Sequence, residues 1–234
     1  MNSSRLICAV GIAGLLLSHG DAWAQPATPD RAPGASLLPP AIPIFPLPDA
    51  VLFPKVSRPL HIYEPRYRAL VADALKGDRI IGMVMLRPGY ESDYEGRPPV
   101  YPIGCAGVIT DVVELPDGGY NIVLRGLVKF RVSSEDQSRA YRLARVEAMP
   151  ESPKDEELAG LGKVRRQLEA LVASLAPGSG SPPPEFSDDE VVNTLAQYWD
   201  LDPVDRQQLL ERDGALSRSQ GLIDLLNAPA APPR

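Results

Sequence analysis

The fold is decided by residues 42–75, which read IPIFPLPDAVLFPKVSRPLHIYEPRYRALVADAL. The prolines in the first half rule out a helix and disfavour central strand positions, because proline lacks an N–H donor and fixes φ. The apolar residues between these prolines are therefore expected to be buried by short, edge-like strands and turns. From Pro65 onward, apolar residues recur at helical spacing until Gly77, which provides a stop signal. The second half thus predicts an amphipathic helix over residues 65–75.

The next part of the chain, up to residue 149, predicts short strands joined by turns. The segment PDGG at 116–119 is a hairpin turn signal between two apolar runs. From Val128 to Val132, apolar and charged side chains alternate, so Lys129 and Arg131 are expected on a solvated face. Residues 141–148 supply a closing strand. Short strands with frequent turns favour a small β-barrel over residues 42–149.

The following residues, 150–227, predict a helical subdomain. An apolar stripe at helical spacing runs from Leu158 to Leu175, and a break rich in Gly, Ser and Pro follows it. Start signals for the later helices are two capping boxes, Ser187 with Glu190 and Ser217 with Gln220, and the pair Asp202 with Pro203. The apolar stripes are expected to pack against one another as a bundle.

The two ends of the chain are predicted to lie outside the fold. Arg5 precedes an apolar run at 6–17 that is too short to span a bilayer, and Ala-Trp-Ala at 22–24 fits a signal-peptidase site. Residues 1–24 therefore predict a signal peptide and export to the periplasm or medium, or a cytoplasmic protein if the start codon is misassigned. Residues 25–41 predict a flexible leader rich in Pro and Ala, and residues 228–234 a loose tail.

Composition limits the classes of partner and of chemistry. The formal net charge of −6 offers no broad cationic surface for nucleic acid, and no stable membrane span is expected after cleavage of the signal peptide. Cys105 is then the only cysteine, so no intramolecular disulfide forms, and its apolar surroundings predict a small buried side chain. Neither a cofactor nor a metal is predicted.

Several blocks of this sequence resemble the amino-terminal, substrate-binding domain of the Lon protease family. The blocks are residues 42–75, 81–86 and 103–132, with a weaker match at 205–211. The resemblance implies an α+β fold, a PUA-like small β-barrel followed by an α-helical bundle subdomain. It also implies a domain that binds polypeptide substrates and helps assembly, while other domains of the family hydrolyse ATP and cleave peptide bonds.

Catalytic motifs are not found in this sequence. It contains no G-x-x-x-x-G-K-[ST] motif, and no room for an ATPase or protease domain remains before residue 234, so we expect a stand-alone, non-catalytic domain. His61 has no triad partners, and Ser57 with Lys55 lacks an orienting third group. Four consecutive residues, Glu64, Pro65, Arg66 and Tyr67, match the most recognisable motif of the family. We interpret them as fold-defining, with Glu64 bonding the amides at the helix start.

The best candidate for binding is the loop from Arg87 to Tyr101, RPGYESDYEGRPPVY. Tyr90, Tyr94 and Tyr101 are predicted to grip an extended peptide, or alternatively to pack the loop onto the barrel. The leading hypothesis is a module that binds unfolded or peptide segments without ATP, alone, as a homo-oligomer or with a separate protease. The alternative is a structural protein that pairs with itself or with an envelope partner. A small-ligand sensor or an unrecognised hydrolase is the third class.

Overall fold

The computed structural model describes residues 37–90, 96–136, 138–152, 154–178 and 180–228. The predicted signal peptide, most of the leader and nearly all of the tail lie outside these ranges. The leader was predicted to extend too far, because Leu38 is buried and Ala41 begins the first strand. Burial of apolar side chains therefore begins a few residues before position 42, where the predicted fold began.

Six strands in the described ranges form one sheet, and five of them close into a ring. The strands are β1 (Ala41–Leu47), β2 (Ser57–Ile62), β3 (Ile80–Met85), β4 (Ile103–Glu114), β5 (Tyr120–Asp136) and β6 (Arg142–Met149). Their order is β2-β5-β4-β3-β1-β6, and β6 also pairs with β5, which closes the ring of β5, β4, β3, β1 and β6. Only the β1–β3 ladder is parallel, and β2 lies outside the ring on β5. A closed ring agrees with the predicted barrel.

The helices are α1 (Pro65–Lys76), between β2 and β3, and four that follow the strands: α2 (Asp155–Leu175), α3 (Asp188–Tyr198), α4 (Pro203–Glu211) and α5 (Gly214–Asn227). The prediction of α1 is confirmed, as is the start of α4, where the Asp202 carboxylate accepts the Val204 N–H at 2.9 Å. Both predicted capping boxes are wrong. The Ser187 hydroxyl donates to Asp189 at 2.6 Å instead, and Ser217 lies inside α5.

Strand β1 corrects the prediction that its prolines would keep it at an edge. It lies between β3 and β6, with Pro43 and Pro46 in its middle. Residues 41–43 pair only with β6, however, residues 45–47 pair only with β3, and Ile44 pairs with both. Each proline therefore lies in a part of β1 that is paired on one side only. On the unpaired side, the N–H that proline lacks would have had no strand partner.

The interior of the ring holds a small apolar core centred on Phe130. The core draws on all five ring strands and consists of Leu38, Ile42, Ile44, Ile80, Val84, Ala106, Phe130 and Ala144. Glycines at 82 and 104 face the Phe130 ring, and a Cβ atom at either position would clash with it. Small residues on β3 and β4 therefore make room for one large ring inside a narrow barrel.

The larger core lies between the outer face of the ring and the helices. Alternate residues of β3 and β4, such as Met83 and Cys105, contribute to it together with Val192 of α3 and Leu209 of α4. Because side chains of a strand point to opposite faces in turn, the positions that do not face the interior face the helices. The predicted barrel and helical subdomains thus share one hydrophobic core.

Lys129 corrects the prediction of a solvated face on β5. It pairs in register with Cys105 on the outer face of the ring and is only 2% exposed, because the helices cover this face. Its Nζ donates to the Arg212 carbonyl at 2.7 Å and lies 2.9 Å from the Glu151 carboxylate. The alternation of apolar and charged residues was recognised correctly, but the charged face is not all exposed to water.

Glu151 joins two buried cations and ties the ring to the helices. It accepts from Lys129 of β5 and from Arg218 of α5, which is fully buried. Arg218 also donates to Asn193 of α3 at 2.6 Å and to the Leu209 carbonyl at 3.1 Å. Burial by itself raises the pKa of Glu151, but Arg218 and then Lys129 outweigh it and hold the pKa below its ordinary value.

A second set of polar contacts fixes the segment between β1 and β2 beneath α3. Gln197 accepts the Phe53 N–H at 3.0 Å and donates to the Ser57 carbonyl at 3.2 Å. Gly126 of β5 meets the same segment, donating to Val56 at 2.9 Å and accepting from Lys55 at 2.8 Å. A Cβ atom at 126 would lie far inside contact distance of the Phe53 carbonyl.

No helix in the described ranges is both long and apolar enough to cross a bilayer.

Candidate functional site

The structure describes two of the three tyrosines that were predicted to bind peptide, and these two differ in exposure. Tyr90 is 46% exposed on the loop that follows β3. Tyr101 is half-buried and packs against the main core, with the Arg87 guanidinium 5.4 Å from the centre of its ring. Tyr94 lies outside the described residues. Of the two tyrosines described, Tyr90 is therefore the one whose ring is exposed to solvent.

The base of this loop is held firmly against the ring. An antiparallel bridge joins Leu86 to Val100. The Arg87 N–H donates to the Pro99 carbonyl at 2.9 Å, and the Tyr101 N–H donates to the Met85 carbonyl at 2.8 Å. These bonds continue the β3 strand by one step and fix where residues 96–101 return to the fold.

The motif at the start of α1 lies next to the loop base and differs from its predicted role in one respect. The Glu64 side chain makes no capping bond to the helix amides, and its carboxylate instead accepts from Arg66 Nε at 2.9 Å. The Arg66 guanidinium lies 4.6 Å from the centre of the Tyr67 ring, which packs edge-on against Phe45 at 4.4 Å. Arginine and tyrosine are thereby held in fixed positions at the amino-terminal end of α1.

A pocket of about 230 Å³ brings this motif together with the loop base. It lies at the end of the ring where β1 and β3 finish and β6 begins. Its lining consists of Pro46, Arg66, Tyr67, Leu86, Gly96, Arg97, Pro98, Ala140, Tyr141 and Arg142. Residues that are far apart in the sequence therefore form a single concave surface, which we treat as the candidate binding site.

Three guanidinium groups line the pocket, and they differ in how many of their N–H donors have hydrogen-bond acceptors. Arg142 is buried and forms two bonds to the Glu135 carboxylate, at 2.6 and 2.7 Å, and a third to the Pro98 carbonyl at 2.7 Å. Arg97 donates from Nη2 to the Arg139 carbonyl at 3.0 Å. Its Nη1 is buried and has no hydrogen-bond partner within the part of the chain that the structure describes.

Tyr141 connects the wall of the pocket to α1. Its hydroxyl donates to the Asp73 carboxylate at 2.9 Å, and Arg139 donates to the same carboxylate at 2.8 Å. The bond from Tyr141 and then the bond from Lys76 lower the pKa of Asp73. Burial, followed by the nearby Asp73, raises the pKa of Tyr141. This network links the start of β6 to α1.

The remaining candidate residues lie elsewhere and do not form a catalytic set. His61 is exposed on β2 and contacts Asn121 Oδ1 through Nδ1 at 2.8 Å. Cys105 is fully buried, as predicted, and its burial raises the pKa of the thiol. Lys55 is paired with Asp189 at 2.7 Å, which occupies the amine that a dyad with Ser57 would need. No three His, Cys, Asp or Glu side chains among the described residues are placed to hold a metal ion.

Sequence reasoning missed Arg97 and Arg142 as site residues. Arg97 stands in the proline-rich loop, of which only the tyrosines were assigned a role. Arg142 follows Tyr141 as the first residue of strand β6, and an arginine beside an aromatic residue at the start of a strand is a weak signal of a polar pocket. Neither signal identifies the partners, because those come from other strands and loops.

Comparison with solved structures first defines the class of domain. The amino-terminal domain of a Lon protease from the Mycobacterium avium complex superposes with a TM-score of 0.60 at 20% identity, covering 80% of this chain and 97% of that one. The Lon N-terminal domain protein from Xanthomonas campestris gives a TM-score of 0.54 at 24% identity, covering 79% and 97%. At these identities the comparison establishes the fold, which is the α+β fold of Lon amino-terminal domains.

Sequence comparison then defines the family. Lon protease 2 of Myxococcus xanthus is 28% identical over 197 residues, which are 81% of this chain and 24% of that protein. Lon protease 2 of Sorangium cellulosum is 34% identical over 138 residues, 58% of this chain and 17% of that protein. The profile of the ATP-dependent protease La (LON) substrate-binding domain matches residues 41–228. The chain belongs to this family, and it spans about a quarter or less of these two relatives.

Proposed function

We propose that this protein is a non-catalytic module that binds polypeptide segments in unfolded or extended form. The family to which the chain belongs is described as a substrate-binding domain, which supports a role in recognition. The observation that carries the proposal is the loop after β3, which presents Tyr90 to solvent and contributes Gly96, Arg97 and Pro98 to the pocket. An exposed aromatic ring and part of a concave, mixed polar and apolar surface, both supplied by one loop, suit a flexible peptide.

We also propose that binding needs no nucleotide and that the protein acts after export. The sequence contains no phosphate-binding loop of the G-x-x-x-x-G-K-[ST] type, and residues 1–24 have the pattern of a signal peptide. Amino-terminal sequencing of the exported protein should then find Gln25 as the first residue. Recovery of the intact chain from the cytoplasm alone would refute the proposed export.

Fluorescence anisotropy with a labelled, permanently unfolded polypeptide such as reduced and carboxymethylated α-lactalbumin tests the proposed function. The wild-type chain should bind it saturably without nucleotide, and native lactalbumin should not compete. Tyr90→Ala should raise the Kd about five- to thirtyfold, which corresponds to a loss of about 1–2 kcal/mol. Tyr63→Ala is the matched control, because Tyr63 is 61% exposed but lies between β2 and α1.

Two outcomes would contradict this proposal. A folded wild-type chain that fails to bind any unfolded polypeptide would exclude the recognition role. If Tyr90→Ala and Tyr63→Ala raised the Kd for the polypeptide equally, the loop after β3 would not be the binding site.

Assembly is the second candidate function, and helix α2 supplies its support. Leu158 and Leu175 belong to the apolar stripe of α2, yet they are 50% and 49% exposed. Exposed leucines on one helix suit pairing with a second copy or with a neighbouring protein. Sedimentation velocity over a range of concentrations should then reveal association that Leu158→Ser weakens. A monomer at every concentration would exclude self-association.

A further inference from the structure

Counted over the described residues, the pocket at the end of the ring carries one positive charge more than the carboxylates neutralise. Arg66, Arg97 and Arg142 line it, and among the described residues two carboxylates pair with these arginines, Glu64 with Arg66 and Glu135 with Arg142. Three guanidinium groups against two carboxylates leave one positive charge. Arg97 carries it, since the structure gives Arg97 no ion pair within the described residues.

Arg97 also has an unused donor in the same place. Its Nη2 is occupied by the Arg139 carbonyl, and its Nη1 is buried without a hydrogen-bond partner among the described residues. A buried donor that remains unpaired destabilises the free protein, because it has lost its bonds to water. A ligand that accepts a hydrogen bond from Nη1 would recover this loss and neutralise the charge at the same time.

The size, the apolar lining and the charge of the pocket limit which chemical group can accept a hydrogen bond from Arg97. At about 230 Å³ the pocket is smaller than the sites of about 300 Å³ or more that enclose drug-sized ligands. Pro46, Leu86, Pro98 and Ala140 give it apolar walls beside the arginines. A single excess charge matches a monoanion, whereas a phosphate dianion would need further donors, and Arg142 already donates from Nε and Nη2 to Glu135 and from Nη1 to Pro98.

We infer that this pocket binds a single carboxylate group of a polypeptide, with Arg97 as the residue that recognises it. The inference rests on the proposed function, because a peptide supplies the rest of the ligand. The carboxylate comes either from the carboxyl terminus or from an aspartate or glutamate side chain, and both sources offer the same monoanion on a short apolar stem.

Peptide pairs that differ only in this group test the inference in the full chain. One labelled peptide of Gly, Ala, Val and Phe is prepared with a free carboxyl terminus and with a terminal carboxamide. A third version is amidated and carries one internal glutamate. A charge-assisted hydrogen bond predicts that a carboxylate version binds about tenfold more tightly than the neutral amide. Preference for the free terminus or for the glutamate identifies the source.

Substitution of Arg97 should remove this discrimination. Arg97→Gln is expected to bind acid and amide peptides equally, and Arg97→Lys to retain part of the preference, since lysine keeps the charge but not the planar fork. Arg131→Gln is the matched control, because Arg131 is an exposed arginine of β5 outside the pocket lining. It loses the same charge and should keep the preference. Thermal denaturation of each variant verifies that it is folded.

Small probes make the test independent of peptide binding. In the ¹⁵N-labelled full chain, the Arg97 Nε–H signal is identified by its loss in Arg97→Gln. N-acetylalanine should shift this signal saturably, while N-acetylalaninamide should not. If peptides bind but show no preference for a carboxylate, the inference is overturned and the proposed function stands. If no peptide binds but N-acetylalanine does, the carboxylate site stands and the proposed function fails. A larger shift with inorganic phosphate than with N-acetylalanine overturns the assignment to a carboxylate.

Discussion

Replacement of Glu151 by glutamine should reveal how much the buried ionic cluster contributes to stability. The carboxylate lies 2.9 Å from Lys129 Nζ and also pairs with Arg218, and these two cations are 2% and 0% exposed. Glutamine has a similar shape but no charge, so Glu151→Gln leaves two buried cations without a counter-charge. Breaking a buried ion pair by removing one partner costs about 3–5 kcal/mol.

The expected loss is at the lower end of this range. About a fifth of the Glu151 side chain is exposed (21%), which allows water to screen the cations, and the glutamine oxygen still accepts one hydrogen bond. We expect the free energy of unfolding to fall by about 3 kcal/mol, and Tm by about 6–12 °C for a domain of this size. Urea denaturation followed by circular dichroism measures the change. Glu147→Gln, at an exposed position of β6, is the control and should stay close to wild type.

The pH dependence gives a second and independent measurement. Because the pKa of Glu151 is lower in the folded state than its ordinary value of 4.5, the stabilisation is complete above 4.5. It is lost as the pH falls through the lower folded-state pKa. The difference between wild type and Glu151→Gln should therefore shrink in acid. A loss below about 1 kcal/mol at neutral pH, or a difference that stays constant into acid, would refute the reasoning.

Two further predictions concern Gly126 and Cys105. Gly126→Ala should lower the free energy of unfolding by about 3 kcal/mol or more, because the new Cβ meets the Phe53 carbonyl, which is backbone and cannot rotate away. Gly77→Ala is its control, since the nearest atom there is 3.9 Å away, and an equal loss in both variants in a urea titration would contradict this. Cys105 should resist Ellman's reagent in the native state, in a chain that carries Cys8→Ser, and react after unfolding, because burial raises its pKa. Native reaction at the unfolded rate would show that the thiol is accessible.

Local patterns in the sequence were sufficient to predict the elements that depend on nearby residues. Helix α1 follows from Pro65 at its first position and from the apolar spacing behind it, and the structure ends it at Lys76. The turn at 116–119 forms as expected, with the Leu115 N–H donating to the Gly119 carbonyl at 2.8 Å. In both cases the residues that determine the conformation lie within a few positions of one another.

Features that depend on contacts between distant segments were not predictable in the same way. Lys129 was expected to be exposed to water, but it is buried. Alternating apolar and charged residues show that a strand has two different faces, but they do not show whether helices cover the charged face. The capping box at Ser187 failed because its hydroxyl is oriented toward a neighbouring carboxylate, Asp189, to which it donates, and its oxygen accepts from no helix amide. The pocket depends on Pro46, Arg97 and Arg142, which only the closed ring brings together.

The core shared by the ring and the helices limits where this domain can be truncated or joined to another protein. The secondary structure changes from strands to helices after Met149, but Phe53 is held by Gln197 of α3, and its ring faces Arg218 of α5. A cut between these halves would uncover the outer face of the barrel and leave Lys129 without its counter-ion. Gene fusions and truncations should therefore preserve residues 41–228 as one indivisible block, the same span that the family profile covers.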